Sequence, residues 1–402
     1  MPIVSSERRI DRASRKIGLL STFPPKKCGL ATFAAALGAE LTRAGDHVTM
    51  LAVDDGRDGR DGRDVHDGHD SHQITKPPGP VLINGAAGSV RDAARVLSRG
   101  DVAIVQHEYG IYGGADGDEI IDLLDALDVP AIVVLHTVPS RPTAHQRTVL
   151  EAVCDLAARI VVMTSAAGTR LTNGYAVDES KVVTIPHGAT PPVTRLAELG
   201  AGAHRPQLLT WGLIGPGKGI EHAIRAMVLL QDMRPRIRYT VAGATHPKVF
   251  ARDGDLYRQS LIREAWSNGS AGSITFDDTY RDVSDLMRLV STASLVVLPY
   301  DSRDQVTSGV LVDAIAAGRP VIATAFPHAV ELLSDGAGIV VPHQDPDALA
   351  AAIRSALTEP GLLESMAARA SEIAPSLTWR SVARQYRGLC DAVDRNDVQV
   401  AM

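Results

Sequence analysis

Pro299-Tyr300-Asp301-Ser302-Arg303-Asp304-Gln305-Val306-Thr307-Ser308-Gly309-Val310-Leu311-Val312-Asp313-Ala314-Ile315-Ala316-Ala317-Gly318-Arg319-Pro320-Val321-Ile322-Ala323 is the stretch whose reading decides the fold. A strand leaves into a polar loop at Pro299, a helix begins near Ser308, and its apolar residues continue to Gly318. There Arg319-Pro320 leads into another β-branched strand. Strand, helix and strand in this order form a βαβ unit of a parallel sheet, with a right-handed crossover. Ligands of such sheets sit at the carboxyl ends of the strands. Ser308, Gly309 and Val310 occupy the first turn of the helix, where amide N–H groups lack intrahelical partners and favour an anion. Gln305 stands just before that turn. Asp313, five residues after Ser308, lies between Val312 and Ala314, and a carboxylate in such apolar company calls for a bonding partner.

Outward from this stretch the same grammar repeats. Candidate strands are Ile17 to Ser21, Val48 to Val53, Val102 to Gln106, Ala131 to Leu135, Ile160 to Met163 and Val182 to Ile185. A second series comprises Leu208 to Leu213, Arg238 to Ala242, Ser273 to Phe276, Leu295 to Leu298, Val321 to Ala323 and Ile339 to Val341. Between the series, Gly188 to Pro206 is rich in glycine and proline and carries no apolar period, as a linker does. The expected organisation is a Rossmann-like domain over 1–190, a linker at 191–206, a second Rossmann-like domain over 207–376 and a final helical segment over 377–402. Each half is expected to be a doubly wound parallel sheet.

Composition narrows the function. The chain has 402 residues, enough for two or three domains at roughly 100 to 200 residues each. A net charge of -6 and 22% charged residues disfavour nucleic acid as a partner. The longest apolar run is the six residues Ala348 to Ile353, far below the roughly 18 of a membrane span, and the N-terminus is polar; a cytoplasmic protein is expected. Cys28, Cys154 and Cys390 are odd in number and widely spaced, so reduced thiols are expected rather than a disulfide framework or a zinc site. Asp55 to His72 reads as six triplets, three of Asp-Gly-Arg and then Asp-Val-His, Asp-Gly-His and Asp-Ser-His. Asp at every third position does not match the alternate spacing of EF-hand ligands, so a solvated insertion is the favoured reading over a metal loop.

Three further motifs can meet an anion or a sugar. Gly29 follows a Pro-rich turn at the mouth of a helix through Phe33, Leu37 and Leu41, a phosphate-facing arrangement that lacks the Gly-x-Gly-x-x-Gly of a dinucleotide site. His107 and Glu108 end one strand and His136 the next, so two histidines are directed to one crevice. Gly212 to Lys218 fits Gly-x-x-x-x-Gly-Lys, but Gly219 replaces the Ser or Thr that a P-loop needs for magnesium. What survives is a glycine-rich loop that aims a cation.

Taken in order, these motifs resemble those of retaining glycosyltransferases of family 4, of the GT-B fold, over nearly the whole chain. The resemblance implies two facing Rossmann-like domains with an interdomain cleft, the first on the acceptor side and the second binding a nucleotide sugar. The family's Glu-x7-Glu falls on Gln305 and Asp313, one acid becoming an amide and the other a shorter acid. By resemblance Gln305 contacts the donor sugar and Asp313 the ribose hydroxyls, while Gly243 to Pro247 lies near the base. Lys218 matches the diphosphate-binding lysine, with Leu213 where an arginine is usual. Gly29 matches the loop approaching the donor phosphate, and His107 with Glu108 the histidine that closes over the donor sugar. Ile185-Pro186-His187-Gly188 is similar to the family's Ile-Pro-Asn-Gly, and Leu377-Thr378-Trp379 begins the helix that crosses back to the first domain. The implied activity is transfer of a hexose, mannose from GDP-mannose being favoured, to a carbohydrate or glycolipid hydroxyl. Catalysis is expected from His107, Lys218 and Gln305, and donor binding from Gly29, Glu108, Gly243, Ser308, Gly309, Val310 and Asp313. No cofactor and no metal are expected. A phosphorylase, an epimerase or a non-catalytic nucleotide-sugar binder remains open on the residues alone.

Overall fold

The computed structural model describes residues 14–26, 28–54, 79–191 and 205–400. The Asp55 to His72 triplets and residues 192–204 of the linker lie outside them. The first sheet holds β1 (Lys16–Ser21), β2 (His47–Asp54), β3 (Val81–Ile83), β4 (Val102–His107), β5 (Ala131–Leu135), β6 (Arg159–Val162) and β7 (Val182–Thr184). Their order is β3-β2-β1-β4-β5-β6-β7. The second holds β8 (Gln207–Trp211), β9 (Arg238–Ala242), β10 (Ile274–Asp277), β11 (Leu295–Leu298), β12 (Val321–Thr324) and β13 (Gly338–Val341), in the order β10-β9-β8-β11-β12-β13. Pairing is parallel, and each sheet reverses its winding at one place, between β1 and β4 and between β8 and β11. Those are the topological switch points of two doubly wound sheets.

The expected strands form within a residue or two, with two differences. The three-residue β3 is not among the expected strands. The expected strand Leu208 to Leu213 stops at Trp211, because Gly212 turns the chain at φ 119°, a conformation open to glycine and costly to any other residue.

The apolar strands are explained by burial on both faces. In the second sheet Leu208, Val297 and Ile322 pack into one core with Ile220, Ile224 and Tyr239. Their neighbours Leu209, Val296 and Val321 pack into another with Leu311, Ile315 and Phe326. Successive side chains point to opposite faces, so a strand covered twice has no polar positions to spare.

The chain divides into two compact units. One comprises Met1–Val134, Ala144–Ile160 and Arg387–Met402, the other Leu135–Thr143 and Val161–Tyr386. The last helix, Trp379–Val400, therefore contributes to each. In the second unit Gly188 leaves no room for a Cβ, which would stand 2.3 Å from the Trp379 ring, and Trp379 donates its N–H to Ala189 O at 3.1 Å. In the first unit Arg387 pairs with Asp46 at 2.8 Å, and Arg15 pairs with Asp391. The Asp46 side chain is only 1% exposed, and removing one partner of a buried pair leaves the other charge uncompensated. Asp46→Asn should therefore cost about 3 kcal/mol, the low end for a buried pair because Arg387 keeps some exposure, read as a lower midpoint in urea at unchanged m-value.

Candidate active site

In the first unit, β1 ends in buried Ser21 and Thr22, and the helix Gly29–Arg43 is capped by Cys28, whose Sγ accepts from Ala31 N–H at 3.4 Å. Gly29 is exposed, and nothing stands within 4 Å of where a Cβ would project. That open approach, rather than local crowding, is what glycine provides here. His107, the last residue of β4, is 1% exposed and packs edge-on to Tyr109 at 5.2 Å. Neither ring nitrogen has a hydrogen-bond partner among the described residues, and burial lowers its pKa to about 4. It is a neutral imidazole at neutral pH. Glu108 accepts from Tyr109 N–H at 3.0 Å.

In the second unit the loop after β8 is shaped by Gly212, Gly217 and Gly219, all at positive φ. A Cβ on Gly219 would lie 1.8 Å from Pro299 O. The loop brings the Lys218 ammonium to 4.3 Å from the centroid of the Tyr300 ring. His246 is held below its ordinary pKa by burial and then by the charges of Lys248 and Lys218, a local sign of positive potential. Gly243, at φ 127°, lies against Gly212 O and accepts from Arg258.

After β11 the loop to Ser308 is fastened at several points. Ser140 donates to Asp304 at 2.7 Å, Arg170 to Asp304 O at 2.9 Å and Thr164 to Val306 O at 2.9 Å. Gln305 in this loop donates to Thr307 O at 3.1 Å. Ser308, expected in the first turn, is instead the N-cap of the helix Gly309–Ala316, its hydroxyl accepting from Leu311 N–H at 3.3 Å. Its own amide departs from the expectation. Ser308 N–H donates to His328 Nδ1 at 2.8 Å, so the amides left to meet an anion are those of Gly309 and Val310. His328 is 4% exposed, and burial lowers its pKa to about 3, with the His187 charge a second cause. His187 fills the space beside Gly309, 3.0 Å from where a Cβ would stand, and bonds to Gly188 O at 2.6 Å. Burial lowers its pKa to about 4. Asp313 is half-buried with no hydrogen-bond partner for its carboxylate among the described residues, and desolvation pushes its pKa up to about 7. Arg319 serves the fold, donating to Ala293 O at 2.9 Å.

Sequence reasoning missed His328 and the use of Tyr300. His328 is 20 residues from the amide it caps, and Tyr300 is 82 from Lys218; neither separation leaves a local pattern. Glu221, His222 and Asp301 come within metal-ligand reach of one another, but Glu221 already accepts from Tyr257 at 2.8 Å and His222 bonds Asp301 at 3.1 Å. A shallow depression of about 510 Å³ among Arg225, Leu229, Glu264 and Pro346 contains none of the candidate site residues described above, which lie at the strand ends.

Two doubly wound parallel sheets with glycine loops and helix N-termini at their switch points define a GT-B class architecture. Family models match on both halves, Glycosyltransferase Family 4 over residues 28–191 and Glycosyl transferases group 1 over residues 196–373. The chain belongs to the GT-B glycosyltransferases of family 4. It is 28% identical over 296 residues to D-inositol 3-phosphate glycosyltransferase of Kineococcus radiotolerans, covering 64% of this chain and 65% of that one. To the enzyme of that name in a Nocardioides strain it is 28% identical over 255 residues, covering 58% and 54%. The match thus spans less than two thirds of these relatives. Sucrose-phosphate synthase from Thermosynechococcus elongatus shares the fold at TM-score 0.69 and 21% identity, covering 96% of this chain and 100% of that one. HepE of Anabaena, solved in complex with UDP, does so at TM-score 0.70 and 16% identity, covering 94% and 100%. No helix among the described residues is long and apolar enough to cross a membrane.

The buried histidines give the site a pH signature. Between their ordinary pKa of 6.5 and about 4, His107, His187 and His328 bind fewer protons folded than unfolded, so stability rises with pH there. Asp313, with its folded pKa raised to about 7, binds more protons folded and opposes them with one group. Thermal midpoints should fall as pH drops from about 6.5 toward 4, and His107→Gln should reduce that slope.

Proposed function

We propose that the protein is a retaining glycosyltransferase that moves a hexose from a nucleoside-diphosphate sugar to a hydroxyl of a carbohydrate-like acceptor. The observation that carries this reading is the convergence at the second switch point. The Lys218 loop leaves β8, the helix whose Gly309 and Val310 amides have no hydrogen-bond partner among the described residues follows β11, and β8 and β11 are neighbours. One lysine and two helix-terminal amides suit the departing diphosphate, whose negative charge grows as the bond from the anomeric carbon to the β-phosphate oxygen breaks. The acceptor hydroxyl attacks that carbon on the same face and gives its proton to a leaving phosphate oxygen, which accounts for retention without a covalent intermediate. Gln305, an amide where the family carries an acid, suits hydrogen bonding to a sugar hydroxyl and cannot act as a nucleophilic carboxylate. Asp313, short of a partner, suits the ribose hydroxyls, and its raised pKa means that such a contact strengthens as pH rises through about 7. By resemblance, Gly29, His107 and Glu108 in the first unit contribute contacts to donor phosphate and sugar. With a lysine and amides supplying positive potential, the reaction is proposed to need no metal.

For the donor, uridine now takes precedence over the guanosine and mannose favoured from sequence, because HepE of Anabaena binds UDP. For the acceptor, the relatives named for D-inositol 3-phosphate support a phosphorylated polyol. A thermal-shift series with UDP, GDP and ADP tests the nucleotide: a diphosphate at 100 times its Kd contributes about 2.7 kcal/mol, and a GDP shift exceeding that of UDP would reverse the choice of base. Lys218→Ala should lower the transfer rate by about 10²-fold or more, the scale of losing a key oxyanion donor. Unchanged turnover of UDP-glucose or GDP-mannose by that variant removes Lys218 from the mechanism.

A further inference from the structure

We infer that Tyr300 is a positioning residue that fixes the Lys218 ammonium for the diphosphate through its ring face. The inference rests on the donor reading of Lys218 above. Three successive residues at the end of β11 grip three successive residues of the glycine loop. Pro299 O lies where a Cβ on Gly219 would be, 1.8 Å away. The Tyr300 ring lies under Lys218, with Nζ 4.3 Å from its centroid. Asp301 N–H donates to Gly217 O at 3.0 Å.

The platform itself is fixed from below. Tyr300 is 1% exposed and stacks on Phe326 with centroids 5.4 Å apart and an interplanar angle of 23°. Its carbonyl accepts from Thr324 Oγ1 at 2.6 Å and bonds His343 Nδ1 at 2.8 Å. Lysine has a flexible four-carbon stem and loses rotamer freedom when it grips a ligand. A ring face that holds the ammonium before the ligand arrives removes part of that loss. Among the described residues Lys218 Nζ makes no hydrogen bond, so its three donors stay available to phosphate oxygens while the ring holds its position. The Tyr300 hydroxyl is buried without a hydrogen-bond partner among the described residues, which assigns the role to the ring and not to the oxygen.

The test is calorimetric binding of UDP and GDP, with uridine and guanosine as phosphate-free controls. Tyr300→Phe should stay within about twofold of the parent for the diphosphates, since phenylalanine keeps a ring face. Tyr300→Leu should weaken the diphosphates by about three- to thirtyfold, the span of a cation–π contact, and leave the nucleosides unchanged. In a Lys218→Ala background Tyr300→Leu should add nothing, because the residue acts through Lys218. Replacing Tyr300 by trifluorophenylalanine, which keeps the shape and weakens the ring quadrupole, should reproduce part of the loss if the leucine variant folds poorly. Equal loss for diphosphate and nucleoside, or full loss in the Lys218→Ala background, would mean a structural role and overturn the inference. Lys218→Ala with parental diphosphate affinity would overturn the donor reading and the inference with it. A normal Tyr300→Leu beside a weakened Lys218→Ala would overturn the inference alone.

Discussion

A parallel strand covered on both faces offers solvent only its ends. That constraint governs the second sheet: Leu208 and Leu209, or Val296 and Val297, are consecutive residues committed to opposite cores, so no side chain along the strand is left for chemistry. In the proposed reading function falls to the loops after β8 and β11, the neighbouring strands between which the winding of the sheet reverses. The glycines follow from the same constraint. Where loops leave neighbouring strands at close quarters, Gly219 and Gly243 adopt positive φ and let backbone meet backbone.

Electrostatics at these strand ends runs against the chain as a whole. The net charge is -6, yet these strand ends carry Lys218 on a loop, Lys248 in the first turn of the helix Pro247–Asp253 and two helix-terminal amides. Histidines surround the helix N-terminus without adding charge, because burial keeps His187 and His328 neutral. His328 also removes one amide from the anion's reach by accepting Ser308 N–H. In the proposed donor reading the helix terminus is thereby left with two donors, and the lysine is the principal cation. By resemblance Leu213 stands where the family carries an arginine, so that reading rests on a single ammonium.

The βαβ grammar was legible because each strand is a run of β-branched residues and each crossover helix has its own start and stop signals. The helix start near Ser308 was readable from the apolar run that follows, though the structure makes Ser308 the cap of that helix rather than part of its first turn. β3 is not among the expected strands, and the end of β8 was overrun because Leu213 continues the apolar run past a glycine that turns the chain. At the site, residue types were readable but partners were not. Nothing near Ser308 announces His328, and Tyr300 looks like any aromatic at a strand end until Lys218 is found above it.

The sequence by itself determined the succession of strands and helices, the glycines and the lysine that can meet an anion, and the family to which the order of motifs points, since these are properties of local spacing and residue type. Only the tertiary structure decided which amide of the helix terminus is already taken, which histidines are neutral, and which ring lies beneath the lysine. Those depend on desolvation and on contacts between residues far apart in the chain, and burial and distance exist only once the sheets have formed.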